Sequence, residues 1–310
     1  MPNFSLRDIN LRHRLACAPY QITEHLLCCG TDLQKLQQRR NVIHRLRVAL
    51  DDRMRWLEGA ARAEFQRGAG GARAQSLPVS IMRQDAPWRA APPPRHDVPG
   101  MITDEESQYY VWLGSHFLGL GEVVELGPWL GKSTLSIVEG LVKSGRFEGR
   151  KLRVYEDFVW RSSFMNNYVP PAKHRADGEN FLPLFEEMTA SRREWISATP
   201  CAIQRQSWNA HLPLLSWEGG PVEMMFIDCG KAYLENEAWF RAFSPAFIPG
   251  VTLLVMQDWR SHRKVPRQRF GHTWQFTESK AGAFELVHET LDGDVATFLW
   301  RGEVDVNRPA

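Results

Sequence analysis

Residues 100–302 predict an α/β fold, a doubly wound and mostly parallel sheet. Three observations predict it. Short apolar runs at 123–126, 222–227 and 252–256 have the length of strands buried on both faces, and helical patterns separate them. Each run leads into a turn that carries an acid or glycines: Glu125 to Gly131, then Asp228, then Asp258. Near the carboxyl end, runs 284–290 and 295–301 flank Leu291-Asp292-Gly293-Asp294, a strong turn signal, and predict an antiparallel hairpin.

Taken in order, residues 1–84 read as a helical region. Leu36, Ile43, Leu46, Leu50 and Leu57 form one apolar stripe over 32–66, with Thr31 or Asp32 as N-cap. Arg39 and Arg53 interrupt the seam, so this helix is expected to pack on its own chain or to form a homodimer, and not to extend as a coiled coil. The Gly-rich run 68–76 and the Pro-rich run 85–99 read as linker. Thr103-x-x-Glu106 then forms a capping box for a helix over 104–116 that leads into the 123–126 strand. Helix 133–143 precedes strand 151–155, which ends in Glu156-Asp157, and helix 181–192 precedes a strand over 202–205. Strand 222–227, helix 234–243 and strand 252–256 follow, then the hairpin and a tail over 303–310. Such alternation implies right-handed crossovers between parallel strands.

Composition bounds the function. At 310 residues, with 43% hydrophobic and 24% charged residues, the chain has the make-up of an ordinary globular protein with a sizeable core. A formal charge of +2 is too near zero for a nucleic-acid or membrane partner, although 260–269 is a local Arg-rich run. There is no long apolar span and no signal-peptide order at the start, which predicts a cytoplasmic protein. Cys17, Cys28, Cys29, Cys201 and Cys229 are odd in number and lack zinc spacing, so they read as reduced thiols.

The stretch 121–136, GEVVELGPWLGKSTLS, reads as a buried strand, a glycine turn and a helix start. Gly127 and Gly131 permit a sharp turn, and the free N–H groups of the next helix face whatever lies above it. A P-loop needs four residues before its Gly-Lys-Ser/Thr, but only Pro128, Trp129 and Leu130 intervene, so Lys132 is a decoy. The dinucleotide fingerprint fails as well, because Trp129 stands where its second glycine belongs. In open α/β sheets ligands bind at the carboxyl ends of the strands, and Glu125, Glu156, Asp228 and Asp258 all fall there. Each one alone also reads as a helix cap or loop carboxylate.

Glu125-Leu126-Gly127-Pro128-Trp129-Leu130-Gly131-Lys132-Ser133 resembles the first motif of the class I S-adenosylmethionine-dependent methyltransferases, in the form found in catechol-type and related small-molecule and sugar O-methyltransferases. The resemblance spans 100–302. It implies a Rossmann-like sheet of seven strands, with one strand inserted antiparallel near the edge. It also implies S-adenosylmethionine as cofactor, with Gly127 and Gly131 beneath its methionine part and Glu125, Trp129, Ser133 and Asp228 around it. Glu156 would take both ribose hydroxyls, with Asp157 in reserve, and the adenine would lie near Gln206, Ser207 and Trp208, the last of which reads equally as core. Phe226-Ile227-Asp228-Cys229-Gly230-Lys231 resembles the Asp-x-x-Lys of the catechol-type branch, in which the lysine is the general base on an acceptor hydroxyl. Asp228 and Asp258 would hold Mg2+, but Trp259 stands where that branch supplies a third ligand, so a metal-free site is the alternative. Trp129, Trp160 and Trp259 are candidate pocket walls, and His262 and His272 are the other candidate bases.

The function so implied is O-methylation of a small-molecule or glycan hydroxyl. Loops 158–175 and 260–274 carry no readable code for the acceptor. Two rivals stand beside it: a non-catalytic methyltransferase-like interaction module, and a nucleotide-dependent transferase that uses Lys132 and Ser133 on phosphate.

Overall fold

A computed structural model describes residues 86–264 and 270–302 of the chain. The expected helix at 32–66, its dimer contact, the Gly-rich run and the 303–310 tail lie outside the described residues.

Seven strands form one sheet: β1 Glu122–Leu126, β2 Leu152–Glu156, β3 Ile196–Pro200, β4 Val222–Ile227, β5 Leu253–Met256, β6 Phe284–Glu289 and β7 Ala296–Trp300. Their order is β3-β2-β1-β4-β5-β7-β6. The first five pair in parallel, while β7 pairs antiparallel with both β5 and β6. The inserted strand of the resemblance is therefore β7. Among the described residues, five helices of seven residues or more accompany the sheet, α1 Asp104–Ser115, α2 Lys132–Lys143, α3 Leu182–Met188, α4 Tyr233–Phe243 and α5 Phe270–Ser279, besides a single helical turn at Ser162–Met165.

Strand periodicity builds two cores, because successive side chains point to opposite faces. Val123, Phe226 and Val255 join α1, α2 and α3 on one face, through Tyr110, Leu141 and Phe185 among others. Val124, Ile227 and Met256 join α4 and α5 on the other, through Trp239 and Phe276. On the first face α1 and α2 cross at glycines. A Cβ on Gly114 would lie 2.7 Å from the Leu141 backbone nitrogen, and one on Gly140 would strike the Val111 carbonyl. Small residues here let the two helix backbones touch.

Three expectations shift. The third strand is not at 202–205 but at Ile196–Pro200, where it pairs with β2 from Leu152↔Ile196 onward. It is an edge strand in which Ile196 alone is buried, so its apolar signal is weak; Ala202 makes only an isolated bridge to Leu214. Within the expected Pro-rich linker, Pro87–Ala90 forms a 3-10 turn whose Trp88 is buried against Tyr109, Trp112 and His288. Helix α5 begins at Phe270, inside the 260–274 stretch that the sequence presents as loop. Thr103 and Glu106 do form the capping box, with the Thr103 N–H donating to Glu106 at 2.7 Å and the Glu106 N–H to Thr103 Oγ1 at 3.2 Å.

Candidate active site

Gly127 sits at the junction of three strand ends. Its N–H donates to the Tyr155 carbonyl of β2, and the Asp228 N–H donates to the Leu126 carbonyl of β1. Its φ is 81°, and a Cβ there would lie 2.7 Å from the Asp228 carbonyl oxygen. Glycine is thus required both by conformation and by close approach of backbone. Gly131 has φ 95°, caps α2, and would drive a Cβ into Thr189. Packing beneath the loop accounts for both glycines. Trp129, between them, holds φ at 45°, which is uncommon without glycine, and its buried indole N–H has no partner.

Glu125, two residues before Gly127, is buried and accepts from Ser133 Oγ and Thr134 Oγ1, each at 2.6 Å. Burial pushes its carboxyl up to about 7, against the pull of those two hydroxyls. Ser133 is engaged with this carboxylate. Lys132 turns away from the loop and donates to the Ile102 carbonyl at 2.9 Å, so a phosphate role for it has no geometric support.

Glu156 ends β2. Its Oε1 accepts from the Asp157 N–H at 2.8 Å, and burial, then the neighbouring Asp157 charge, push its carboxyl up to about 8. Asp157 is committed elsewhere: Oδ2 accepts from Arg161 at 2.6 Å and Oδ1 from the Val159 N–H at 3.0 Å. That leaves Glu156 the freer of the two. Arg161 also lies 5.9 Å from the Trp208 ring, which places an aromatic next to the β2 end. Trp208 is 49% exposed and so is not a core residue. Gln206 and the exposed Ser207 share its turn, which Asn209 closes by accepting from the Gln206 N–H at 2.7 Å.

At the ends of β4 and β5, Lys231 Nζ lies 2.8 Å from Asp228 Oδ1 and 2.8 Å from Asp258 Oδ2. Burial opposes its charge, but the two carboxylates outweigh it and hold the ammonium above the usual lysine range. A charged ammonium has no lone pair, so as Lys231 stands in this structure it donates and does not accept. Asp228 is pushed up to about 6 by burial, against Lys231. Both acids keep an open side, with Asp228 36% and Asp258 33% exposed.

Behind this cluster stand residues that the sequence did not single out for the site. Asn236 on α4 is buried and donates to the Gly230 and Ala232 carbonyls, so it grips both sides of Lys231. Tyr110 donates to Gln257 Oε1 at 2.6 Å, and Gln257 Nε2 donates to Glu106 Oε1 at 2.9 Å, which fixes the residue before Asp258. The Glu106/Tyr110 spacing of four on one helix was the available signal.

The residues present do not fit a divalent cation. Two carboxylates with an ammonium between them offer no vacant oxygen shell, and Trp259 is buried with its Nε1 donating to Thr277 at 2.8 Å. Among the described residues no group of three or more His, Cys, Asp or Glu side chains is placed to hold a metal ion. Trp160 is likewise core, with Nε1 donating to Asn166 at 2.8 Å. His262 bonds the Trp259 carbonyl at 2.6 Å and stacks on Trp274, and burial raises the Cys229 thiol. His272 leaves a buried Nδ1 without a partner. The basic run is paired as far as it is described: Arg263 with Glu289 and Lys264 with Asp294, while Arg260 donates to the Thr290 carbonyl.

No family model matches the sequence, and no curated protein does. Several solved structures resemble the chain at low identity. The O-methyltransferase NovP is 14% identical, with a TM-score of 0.44 over 73% of this chain and 99% of its own. The O-methyltransferase from Bacillus cereus, in complex with SAH, is 13% identical, with a TM-score of 0.42 over 73% and 92%. The SAH-bound Podospora anserina methyltransferase PaMTH1 is 10% identical, with a TM-score of 0.41 over 75% and 91%.

Proposed function

We propose that this chain is an S-adenosylmethionine-dependent O-methyltransferase acting on a small-molecule or glycan hydroxyl. The observation that carries the proposal is the gathering of Glu125, Glu156 and Asp228 around Gly127 at the carboxyl ends of three adjacent parallel strands. When bound, the cofactor supplies a methyl group on a sulfonium. Glu156 would accept from the ribose hydroxyls, Trp208 would offer a face to the adenine, and Asp228 and the buried Glu125, where ionised, would add negative charge beside the sulfonium.

Asp228 and Lys231 divide the acceptor chemistry. The open carboxylate oxygen of Asp228 takes the hydroxyl proton, and a carboxyl near 6 suits that transfer near neutral pH. Lys231, whose ammonium spans Asp228 and Asp258 and reaches the Gln257 carbonyl at 3.5 Å, keeps positive charge beside the developing oxyanion. Bound S-adenosylmethionine would supply the methyl group, and Asp228 and Lys231 would hold the acceptor oxygen toward it. Alignment in a desolvated cleft is the protein's main contribution. The free thiols of Cys201 and Cys229 agree with a cytoplasmic setting, and no described helix is long and apolar enough to cross a membrane.

Calorimetry with S-adenosylhomocysteine tests the proposal. Micromolar binding that Glu156→Ala weakens at least tenfold is expected, while an affinity untouched by Glu156→Ala would remove the ribose assignment.

A further inference from the structure

We propose that the Lys231 ammonium is the resident cation of this site, standing where a divalent metal ion would sit between Asp228 and Asp258. The two aspartates follow neighbouring strands whose last residues pair, Ile227↔Met256. That pairing converges two carboxylates on one point, and Nζ fills it at 2.8 Å from each. A magnesium ion bonds oxygen at about 2.0–2.1 Å and demands near-octahedral coordination, so it would need the volume that Nζ holds. It would also bring two positive charges against a third within a few ångströms, at a site where the paired acids carry only two negative ones.

Lys231 is held there by more than its charge. Its side chain is 15% exposed, Gly230 before it has φ 66°, and Asn236 binds the carbonyls on both sides. Asn236 thus fixes the backbone from which the side chain springs, and swinging the ammonium away would leave two facing carboxylates without a counter-charge. The position that might have completed a metal shell is instead Trp259, committed to the core. One consequence rests on the transfer reading above: an acceptor held by hydrogen bonds to Lys231 and the aspartates needs only a single hydroxyl, and no adjacent oxygen pair to chelate a metal.

Titration of the full chain with Mn2+, followed by the electron paramagnetic resonance signal of the free ion, tests the proposal without any substrate. The wild-type chain is expected to remove no Mn2+ from solution at millimolar concentration. Lys231→Met and Lys231→Gln are each expected to gain one site, which a further Asp258→Asn abolishes. Uptake of one Mn2+ by the wild type, lost in Asp228→Asn, would overturn the proposal. So would a folded Lys231→Gln that gains no site, because the ammonium would then not be what keeps metal out. Failure of S-adenosylhomocysteine to bind would sink the transferase reading and leave the Mn2+ outcome standing.

Discussion

Thr134 donates its hydroxyl to the Glu125 carboxylate at 2.6 Å, latching the first turn of α2 to the end of β1. Thr134→Val keeps the shape and removes the donor, leaving a buried carboxylate oxygen without a partner. Such a loss costs about 1–3 kcal/mol. Urea denaturation is expected to show a lowered midpoint with an unchanged slope.

The same carboxylate makes stability depend on pH. Its folded value, about 7, lies above the ordinary 4.5, so the fold favours the protonated form. The corresponding stability is fully present below pH 4.5 and is lost as pH rises through 7. Denaturation of the wild type from pH 5 to 8 should show a decline to which Glu156 and Asp228, also raised, contribute, and Glu125→Gln should make it shallower.

Product-cofactor affinity should run the other way. A ribose bound through two accepted hydrogen bonds needs ionised Glu156, whose free-protein value is raised to about 8. Below that pH a proton must leave on binding, so affinity falls by up to about tenfold per pH unit. Calorimetry at pH 6.5 and 8.5, in buffers of different ionisation enthalpy, reads both the affinity and the released proton. An affinity independent of pH would contradict the Glu156 role.

Two alanine substitutions separate backbone strain from packing. Gly149 has φ 72° with nothing within 4 Å of a new Cβ, so Gly149→Ala should cost only the left-handed penalty of about 1–2 kcal/mol. Gly127→Ala adds contact with the Asp228 carbonyl and should cost more, weakening S-adenosylhomocysteine binding together with stability. Thermal melts and calorimetry on the pair decide the matter.

Lys132 gives a negative control. Its ammonium serves the Ile102 carbonyl, so Lys132→Met is expected to lower stability by about 1 kcal/mol and leave S-adenosylhomocysteine affinity unchanged. Measurable ATP binding abolished by this change would revive the phosphate-loop reading.

Much of the fold was legible because its signals are local. Val123 to Leu126, Val222 to Ile227 and Leu253 to Met256 are mostly apolar and buried on both faces, as strands inside a parallel sheet must be, and Thr103 and Glu106 announce a helix start at fixed spacing. The edge strand β3 was misplaced because an edge needs little apolar surface. Trp88 was read as part of a linker because nothing in a Pro-rich run reveals that an indole is buried against α1 and His288.

The candidate site divides in the same way. Sequence by itself determined the α/β alternation, the acids at the strand ends and the residue count that rules out a P-loop, while the resemblance pointed to Lys231 and Asp228. Only tertiary structure decided what those groups do to one another. Asp228 and Asp258 are thirty residues apart and meet because β4 and β5 pair in parallel register; Lys231 then falls between them and is held charged. Charge state and cation exclusion are set by distance and burial, and spacing along the chain carries neither.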